Sequence, residues 1–426
     1  MLPSTLDSYL KFYWQGFLAT YGALRVFAEE ITRRADQVDE TRLQEMAEDL
    51  AYAFGDDVPT VLTELREFFP SLEHDHLYPD FSDNLDVCEA FAAFQDSAFK
   101  RRVSRWVVEE PQKSARFLGV FAEAMYQPPV SGLYLRQSAL VALVSAVEVF
   151  VDGLLFGYGW YKDEKYQSIS DPAEKETQVR QTYDLRTWKK RWEKLKEIVP
   201  SGDWQTWQEE WNEIIARRNA LVHVGGRVDA QYLQQASKAY QSANVKEGRI
   251  LLVPTVYLNR VVEIALLFTF TLTQSAWRGW QRHRKAADAA VNNLIYETLR
   301  QKRYPLVVEL AQRAEKFDLH WHKRQYVLVN WAIALREQGK TEEMRSILTR
   351  LESRQKRLWQ IEIALNILQG NYDKARRRME QANRAGKLRK HVSPHWPLFD
   401  PVRGEAWFEN LFAARHGELP SQKKRR

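Results

Sequence analysis

Three polar residues near the middle of the chain, Arg218, Asn219 and His223, have the spacing to act together. On a helix, side chains three to five positions apart lie on the same or neighbouring faces, so these three can share one site. An arginine stays charged and holds a phosphate with two donors, and a histidine exchanges protons near neutral pH. This combination suits the cleavage of RNA by its own 2′-hydroxyl group, because a proton moves and negative charge builds on the phosphate.

A stripe of large apolar residues predicts the helix that carries this group. Trp204, Trp207 and Trp211 recur at helical spacing, and a glycine pair directly after Val224 predicts the helix end. We interpret these tryptophans, and the earlier pair Trp188 and Trp192, as core residues. Arg218 falls almost in line with Trp211, so its cation is expected at the margin of the core, where a charge is costly unless it is paired or used.

The segment Arg218-Asn219-Ala-Leu-Val-His223 resembles the Arg-x(4–6)-His signature of HEPN domains, in its Arg-Asn-x(3)-His form. The apolar segment 134–152 is similar to the first helix of that fold, and segments 228–233 and 256–273 are similar to its last helices. The resemblance covers residues 130–280 and implies nothing about the rest of the chain.

HEPN ribonucleases work without metal and build their site from both protomers of a dimer. The resemblance therefore implies that His223 is the acid and base, that Arg218 clamps the phosphate and that Asn219 positions either the histidine or the phosphate. Glu148, in the first helix, would orient Arg218 or His223. The implied protein is a homodimeric endoribonuclease that leaves a 2′,3′-cyclic phosphate and serves as a toxin or defence effector in bacteria.

A non-catalytic interpretation stays open beside this one. Arg218 could simply form an ion pair with Glu148, while His223 caps the helix at its C-terminal end, where the helix dipole favours a cation. The chain would then be a helical adaptor that binds RNA or a protein partner. The two His-x-His sequences, at 74–76 and 320–322, lack the cysteine or carboxylate spacing of a zinc site, so we predict no metal and no cofactor.

The composition is that of a globular protein with two or three domains. Hydrophobic residues make up 45% of the 426 positions and charged residues 28%. The single cysteine excludes an internal disulfide, and the first 30 residues lack the pattern of a signal peptide. The apolar run at 264–273 is too short to span a bilayer. We therefore expect a cytoplasmic protein without membrane contact.

Helical periodicity without strand alternation predicts an all-α fold in three parts. The parts are an N-terminal helical region at 1–126, the HEPN-like bundle at 130–280 and a helical array at 284–416, with a disordered basic tail at 417–426. A Pro- and Gly-containing stretch at 127–132 marks the first boundary. A buried helix at 133–156 is expected to end at Gly157 and Gly159; Ser145, Glu148 and Asp152 form a polar stripe on it.

The array at 284–416 resembles tetratricopeptide-like helical hairpins. Gly339 and Gly370 each lie between two predicted helices, and residues 299–303 take a similar place before them. Residues 277–426 carry 32 Lys and Arg against 16 Asp and Glu, whereas the preceding residues carry 30 against 40. This excess predicts contact with RNA phosphates, with Arg376, Arg377 and Arg378 as candidates; merely solubilising surfaces and a concave face for a protein partner or antitoxin are the alternatives.

Overall fold

A computed structural model describes residues 5–54, 57–68, 131–183, 185–199, 204–236, 247–248, 251, 253–281, 284–354 and 356–412. Every regular element in these ranges is a helix, which confirms the predicted all-α fold. The chain divides into two compact units, Met1–Trp280 and Gln281–Arg426.

The described part of the first unit contains ten α-helices. They are α1 Leu6–Val26, α2 Thr32–Phe54, α3 Val58–Phe68, α4 Ser131–Tyr161, α5 Glu164–Gln167, α6 Pro172–Tyr183, α7 Trp188–Ile198, α8 Trp204–His223, α9 Ala230–Gln235 and α10 Thr255–Trp280. A π-helical segment, Phe27–Ile31, joins α1 directly to α2.

The N-terminal helices are part of the first unit, so the boundary expected at 126–130 does not separate two compact units. Helix α1 packs along α4 and also against α10. The Tyr9 hydroxyl donates to the carbonyl of Gly153 at 2.8 Å, and the Trp277 indole donates to the Asp7 carboxylate at 2.7 Å. Residues 127–130 of the Pro- and Gly-containing stretch lie outside the described residues, as does the tail at 417–426.

A buried arginine makes a second connection between the N-terminal helices and α4. Arg136, on α4, is 2% exposed and lies 2.5 Å from a carboxylate oxygen of Asp36 on α2. Its Nε also donates to the carbonyl of Val253, just before α10. A buried charge needs such partners, so the position of α2 on α4 is specified by this contact as well as by apolar packing.

Gly157 and Gly159 do not end α4, contrary to the sequence prediction, because the helix continues to Tyr161. A Cβ atom at Gly157 would lie 2.3 Å from the Tyr9 ring, and one at Gly159 would lie 2.6 Å from the Tyr183 ring. The absent side chains therefore make room for two tyrosines from other helices. These glycines serve close packing inside a helix, not termination.

Two helices of the first unit, α4 and α10, are long and apolar enough to cross a membrane by length and composition alone. In their most apolar 18-residue windows, 61% and 72% of the residues are buried within the protein. The core helix of a soluble protein passes the same test, so this finding is weak as support for membrane insertion.

The second unit is built from consecutive helical hairpins. Its helices are α11 Lys285–Arg300, α12 Tyr304–Glu315, α13 Trp321–Glu337, α14 Thr341–Glu352, α15 Trp359–Leu368, α16 Tyr372–Arg384, α17 Leu388–His391 and α18 Ala406–Phe412, with a 3₁₀ helix at Pro397–Val402. Helices α11 and α12, α13 and α14, and α15 and α16 pair with each other. The first helix of each hairpin also packs on the first helix of the next.

The hairpin turns share one backbone conformation. Gly339 and Gly370 have φ angles of 71° and 77°, and Lys302 takes the same left-handed conformation at 59°. At each turn this residue donates its N–H to the carbonyl three positions back, and the next N–H reaches five positions back, which is a Schellman motif. The turns predicted at 339, at 370 and within 299–303 are confirmed.

Candidate active site

Helix α8 presents its last turns at the edge of the apolar core. Trp207 and Trp211, earlier on the helix, are 4% and 0% exposed, as the predicted core stripe requires. The helix ends after His223 because Gly225 and Gly226 adopt positive φ angles of 64° and 79°. Left-handed backbone of this kind cannot continue the helix and favours glycine. The polar residues that precede these glycines therefore lie at a helix terminus.

Two oxygen atoms, one from a carboxylate and one from an amide, hold Arg218 in place. Its Nη2 donates to Oε2 of Glu148 on α4 at 2.5 Å, and its Nη1 donates to Oδ1 of Asn219 at 2.9 Å. The side chains of Arg218 and Glu148 are 18% and 19% exposed, so both are sheltered but reachable from water. The structure thus brings together three of the four residues predicted for the site, including the expected contact of Glu148.

His223, the fourth predicted residue, is not bonded to this group. It is exposed at the last position of α8, and its side chain forms no hydrogen bond or ion pair with any residue that the structure describes. The chain therefore presents a fixed arginine and, at the end of the same helix, an exposed histidine. Such a histidine can accept a proton from, or donate one to, a bound molecule.

Sequence reasoning missed two residues of α7 that complete the cluster. Trp188 donates its indole N–H to Oε1 of Glu148 at 2.9 Å, although it was assigned only to the core. Arg191 is paired with both oxygens of Asp152 at 2.8 Å, and its Nη1 lies 3.6 Å from Glu148. Ser145, the third residue of the predicted polar stripe, instead bonds a carbonyl of its own helix.

The signal for these residues was present in the sequence. Glu148 and Asp152 are one turn apart on α4, and Trp188 and Arg191 are one turn apart on α7, so two neighbouring donors can meet two neighbouring acceptors. Glu148 consequently accepts from two different helices, α7 and α8. Removal of its charge would loosen Arg218 without breaking the bidentate pair of Arg191 with Asp152.

Arg217, the neighbour of Arg218, belongs to a separate and fully buried cluster. Its Nε donates to Glu213 at 2.8 Å, and the hydroxyls of Tyr232 and Tyr257 donate to the two oxygens of the same carboxylate. Burial, and then the Glu213 charge, raises the pKa of Tyr257 well above its usual value. Burial alone would lower the pKa of Arg217, but Glu213 raises it, so the cation is retained.

The three arginines predicted to bind RNA are exposed on α16 of the second unit. Arg376 pairs with Glu380 at 2.9 Å, and Arg378 lies 3.4 Å from Glu362. Arg377 forms no ion pair with a described residue. Exposed ion pairs contribute little to stability and exchange readily with other anions, so a phosphate could compete for these side chains.

No group of three or more His, Cys, Asp and Glu side chains within the described residues could hold a metal ion. The histidine pair at 74–76 lies outside the described residues. The pair at 320–322 lies at the start of α13. Among the described residues, no third side chain of these types joins the two rings.

Compared with protein-family models, with curated proteins and with solved structures, the chain matches none of them. The resemblance to HEPN domains therefore rests on the sequence alone.

Proposed function

We propose that this chain is a metal-independent endoribonuclease of the HEPN type, with Arg218 and His223 as its catalytic residues. The observation that carries the proposal is the Glu148–Arg218 contact at 2.5 Å, together with an exposed His223 at the end of the helix that carries Arg218. A half-buried arginine fixed by a carboxylate from another helix is preorganised, and preorganised charge stabilises a transition state without further rearrangement.

In the proposed reaction, His223 accepts the proton of an RNA 2′-hydroxyl group. The 2′-oxygen then forms a bond to the adjacent phosphorus as the bond from phosphorus to the 5′-oxygen breaks. A proton is donated to that 5′-oxygen, which leaves a 2′,3′-cyclic phosphate on one fragment and a 5′-hydroxyl on the other. Arg218 binds the non-bridging oxygens, where charge accumulates, and Asn219 restrains the guanidinium.

A homodimer would supply the second proton carrier, because each chain offers one such histidine. Exposed apolar residues lie next to the site residues in the chain: Val149 is 68% exposed beside Glu148, and Val222 is 51% exposed beside His223. Two copies meeting through this face would cover these side chains and bring two His223 residues to one cleft. Light scattering on Val149→Glu tests the interface, since a buried charge there should favour monomers.

The competing proposal is a helical adaptor without catalytic activity. The specific observation in its favour is that Glu148 already balances the charge of Arg218, as a purely structural ion pair would. Under this proposal the basic second unit, including Arg376, Arg377 and Arg378, binds RNA, or the hairpins bind a protein partner such as an antitoxin. A gel-shift series across salt concentrations distinguishes RNA binding from protein binding by this unit, because only RNA binding weakens when these arginines are replaced.

One assay tests the catalytic proposal directly. Purified protein is incubated with total RNA in EDTA, beside His223→Ala and the matched control His391→Ala, which replaces another exposed histidine. We expect cleavage by the wild type and the control, 2′,3′-cyclic phosphate ends, and none of this in His223→Ala. Activity that requires Mg²⁺ or Mn²⁺, or that persists in His223→Ala, contradicts the proposal. The biological role implied by the resemblance is that of a toxin or defence effector in the bacterial cytoplasm.

A further inference from the structure

A cleft of about 690 Å³ opens in the second unit where α13 begins. Its walls come from the start of α11, from the segment between α12 and α13 and from the first residues of α13. This volume falls within the range of pockets that hold small organic ligands. The reaction proposed above uses none of its residues.

An exposed tryptophan forms one wall of the cleft. Trp321 is 38% exposed, although apolar side chains of this size are usually covered. Its ring and the His322 ring are nearly perpendicular, with centroids 5.8 Å apart and planes at 81°, and the Lys356 ammonium lies 4.8 Å from the indole centroid. The indole is thus restrained by its neighbours while it remains available for a stacking partner.

The other walls are rich in positive charge. Lys285 and Lys323 line the cleft, and neither forms an ion pair with a described residue. Arg284 pairs with Asp318 at 2.6 Å, but both side chains are largely exposed, so this pair is weak. Asp288 is buried and its carboxylate accepts the backbone N–H of His320 at 3.0 Å. Three cations and the single exposed carboxylate of Asp318 line the cleft, so its net accessible charge is positive.

The two histidines add an aromatic surface to the cleft. Burial, and then the nearby His320 and Lys323, lowers the pKa of His322 below its usual value. The rings of His320 and His322 are 4.3 Å apart and inclined at 63°. A flat ligand that enters against Trp321 consequently meets both aromatic rings and ammonium groups in the same cleft.

We propose that this cleft binds a nucleotide, with its base stacked on Trp321 and its phosphate held by Lys285 and Lys323. A simple anion would not need the exposed indole, and an uncharged aromatic ligand would not need the two lysines. Only a ligand with a flat ring and an anionic group uses both features. The nucleotide can come from solution or be a terminal unit of an RNA strand. The site binds in either case, whether or not Arg218 and His223 catalyse cleavage.

Isothermal titration calorimetry on the full chain tests the site. The probes are AMP, UMP, adenosine, inorganic phosphate and a 2′-O-methylated tetranucleotide with or without a 5′-phosphate, which cannot be cut through its 2′-oxygen. Two variants address the cleft, Trp321→Ala and the double variant Lys285→Gln with Lys323→Gln. Their matched controls are Tyr372→Ala, another exposed aromatic residue of the same unit, and Lys374→Gln with Lys387→Gln.

We expect AMP and UMP to bind more tightly than adenosine or phosphate. Trp321→Ala and the double lysine variant should each weaken AMP binding by about tenfold or more, while both controls leave it unchanged. Trp321→Phe keeps a stacking ring and should bind AMP within about threefold of the wild type. Circular dichroism checks that each variant is folded.

Tighter binding of the phosphorylated tetranucleotide than of AMP would identify an RNA end as the ligand, and the reverse would identify a free nucleotide. The proposal is overturned if AMP does not bind at about millimolar concentration. It is also overturned if inorganic phosphate binds as well as AMP, or if AMP affinity is the same in Trp321→Ala and the wild type.

Discussion

Arg217 and Arg218 are neighbours in sequence, yet they lie in opposite kinds of environment. Arg217 is 1% exposed, and its partner Glu213 lies one turn earlier on the same helix. Arg218 is 18% exposed, and its partner Glu148 comes from α4. One peptide unit turns a helix by about 100°, and this rotation is enough to place one cation in the core and the next at its margin.

The difference shows how a single helix can hold a fully buried charge directly beside a partly exposed one. The Glu213 carboxylate accepts bonds from one arginine and two tyrosines, so its oxygens are satisfied inside the protein. The Arg218 guanidinium donates two hydrogen bonds within the protein and remains partly exposed to water. A cation that water can reach is also one that a phosphate can reach, whereas the cation of Arg217 is unavailable to any ligand.

The largest expected effect is on the free energy of unfolding, which should distinguish Arg217 from Arg218. Arg217→Ala leaves the Glu213 charge buried without its cation, so we expect the free energy of unfolding to fall by about 3–5 kcal/mol. Arg218→Ala should cost less than half as much, because water can solvate the remaining Glu148 carboxylate. Urea denaturation of the two variants in parallel measures both values. Equal losses would show that the two environments do not differ energetically.

The second prediction distinguishes Arg218 from Arg217 by its effect on the rate of RNA cleavage. Arg218→Ala should reduce RNA cleavage by about 10²-fold or more, because the phosphate loses its cation in the transition state. Arg218→Lys retains the charge but not the forked donors and should recover only part of the rate. Initial rates measured well below the unfolding temperature of each variant test this. Wild-type rates in Arg218→Ala would assign Arg218 to the same structural class as Arg217.

The third prediction concerns the carboxylate that restrains Arg218. In Glu148→Gln the guanidinium is no longer neutralised, so RNA should bind more tightly at low salt, with a lower KM. The guanidinium is also less firmly oriented, so kcat should fall by about tenfold. Steady-state kinetics at two salt concentrations separate these effects. A helical adaptor would show the tighter binding and no cleavage in either form.

The smallest effect is confined to alkaline pH. Burial and the Glu213 charge raise the pKa of Tyr257 above 10.0, its usual value, so the folded state keeps this phenol neutral where the unfolded chain ionises it. The resulting stability is present below pH 10 and is lost as the pH rises above it, by at most about 1.4 kcal/mol per pH unit for each such tyrosine. Tyr257→Phe should make this decline shallower, which denaturation at several pH values measures. An unchanged slope would indicate that Tyr257 ionises normally.

The sequence predicted those features that depend on local spacing. Helix α8 and its end at the glycine pair follow from helical periodicity. The approach of Glu148 to Arg218 was expected from the resemblance to HEPN domains and from the requirement that a charge near a core be paired. The turns at Gly339 and Gly370 were also predictable, since left-handed backbone after a helix favours glycine. Lys302 could only be inferred from its place in the repeat, because its residue type does not indicate that conformation.

Features that depend on distant segments were not predicted. Arg217 received no role, although its spacing from Glu213 allowed an i,i+4 pair, because only α9 and α10 show that this face is buried. Trp188 was assigned to the core alone, since its indole donor is meaningful only once α4 lies beside it. The N-terminal helices were placed in a separate region because nothing local indicates that Asp7 meets Trp277.

The packing of α1 on α4 also couples the evolution of residues that are far apart in the sequence. A Cβ atom at Gly153 would lie 2.1 Å from the Tyr13 ring, as one at Gly157 would from the Tyr9 ring at 2.3 Å. A mutation that enlarges either glycine is therefore tolerated only in a gene that already encodes a smaller residue at the matching tyrosine. We therefore expect each glycine to coevolve with its tyrosine. In descendants of this gene, a change at one position should accompany a change at the other.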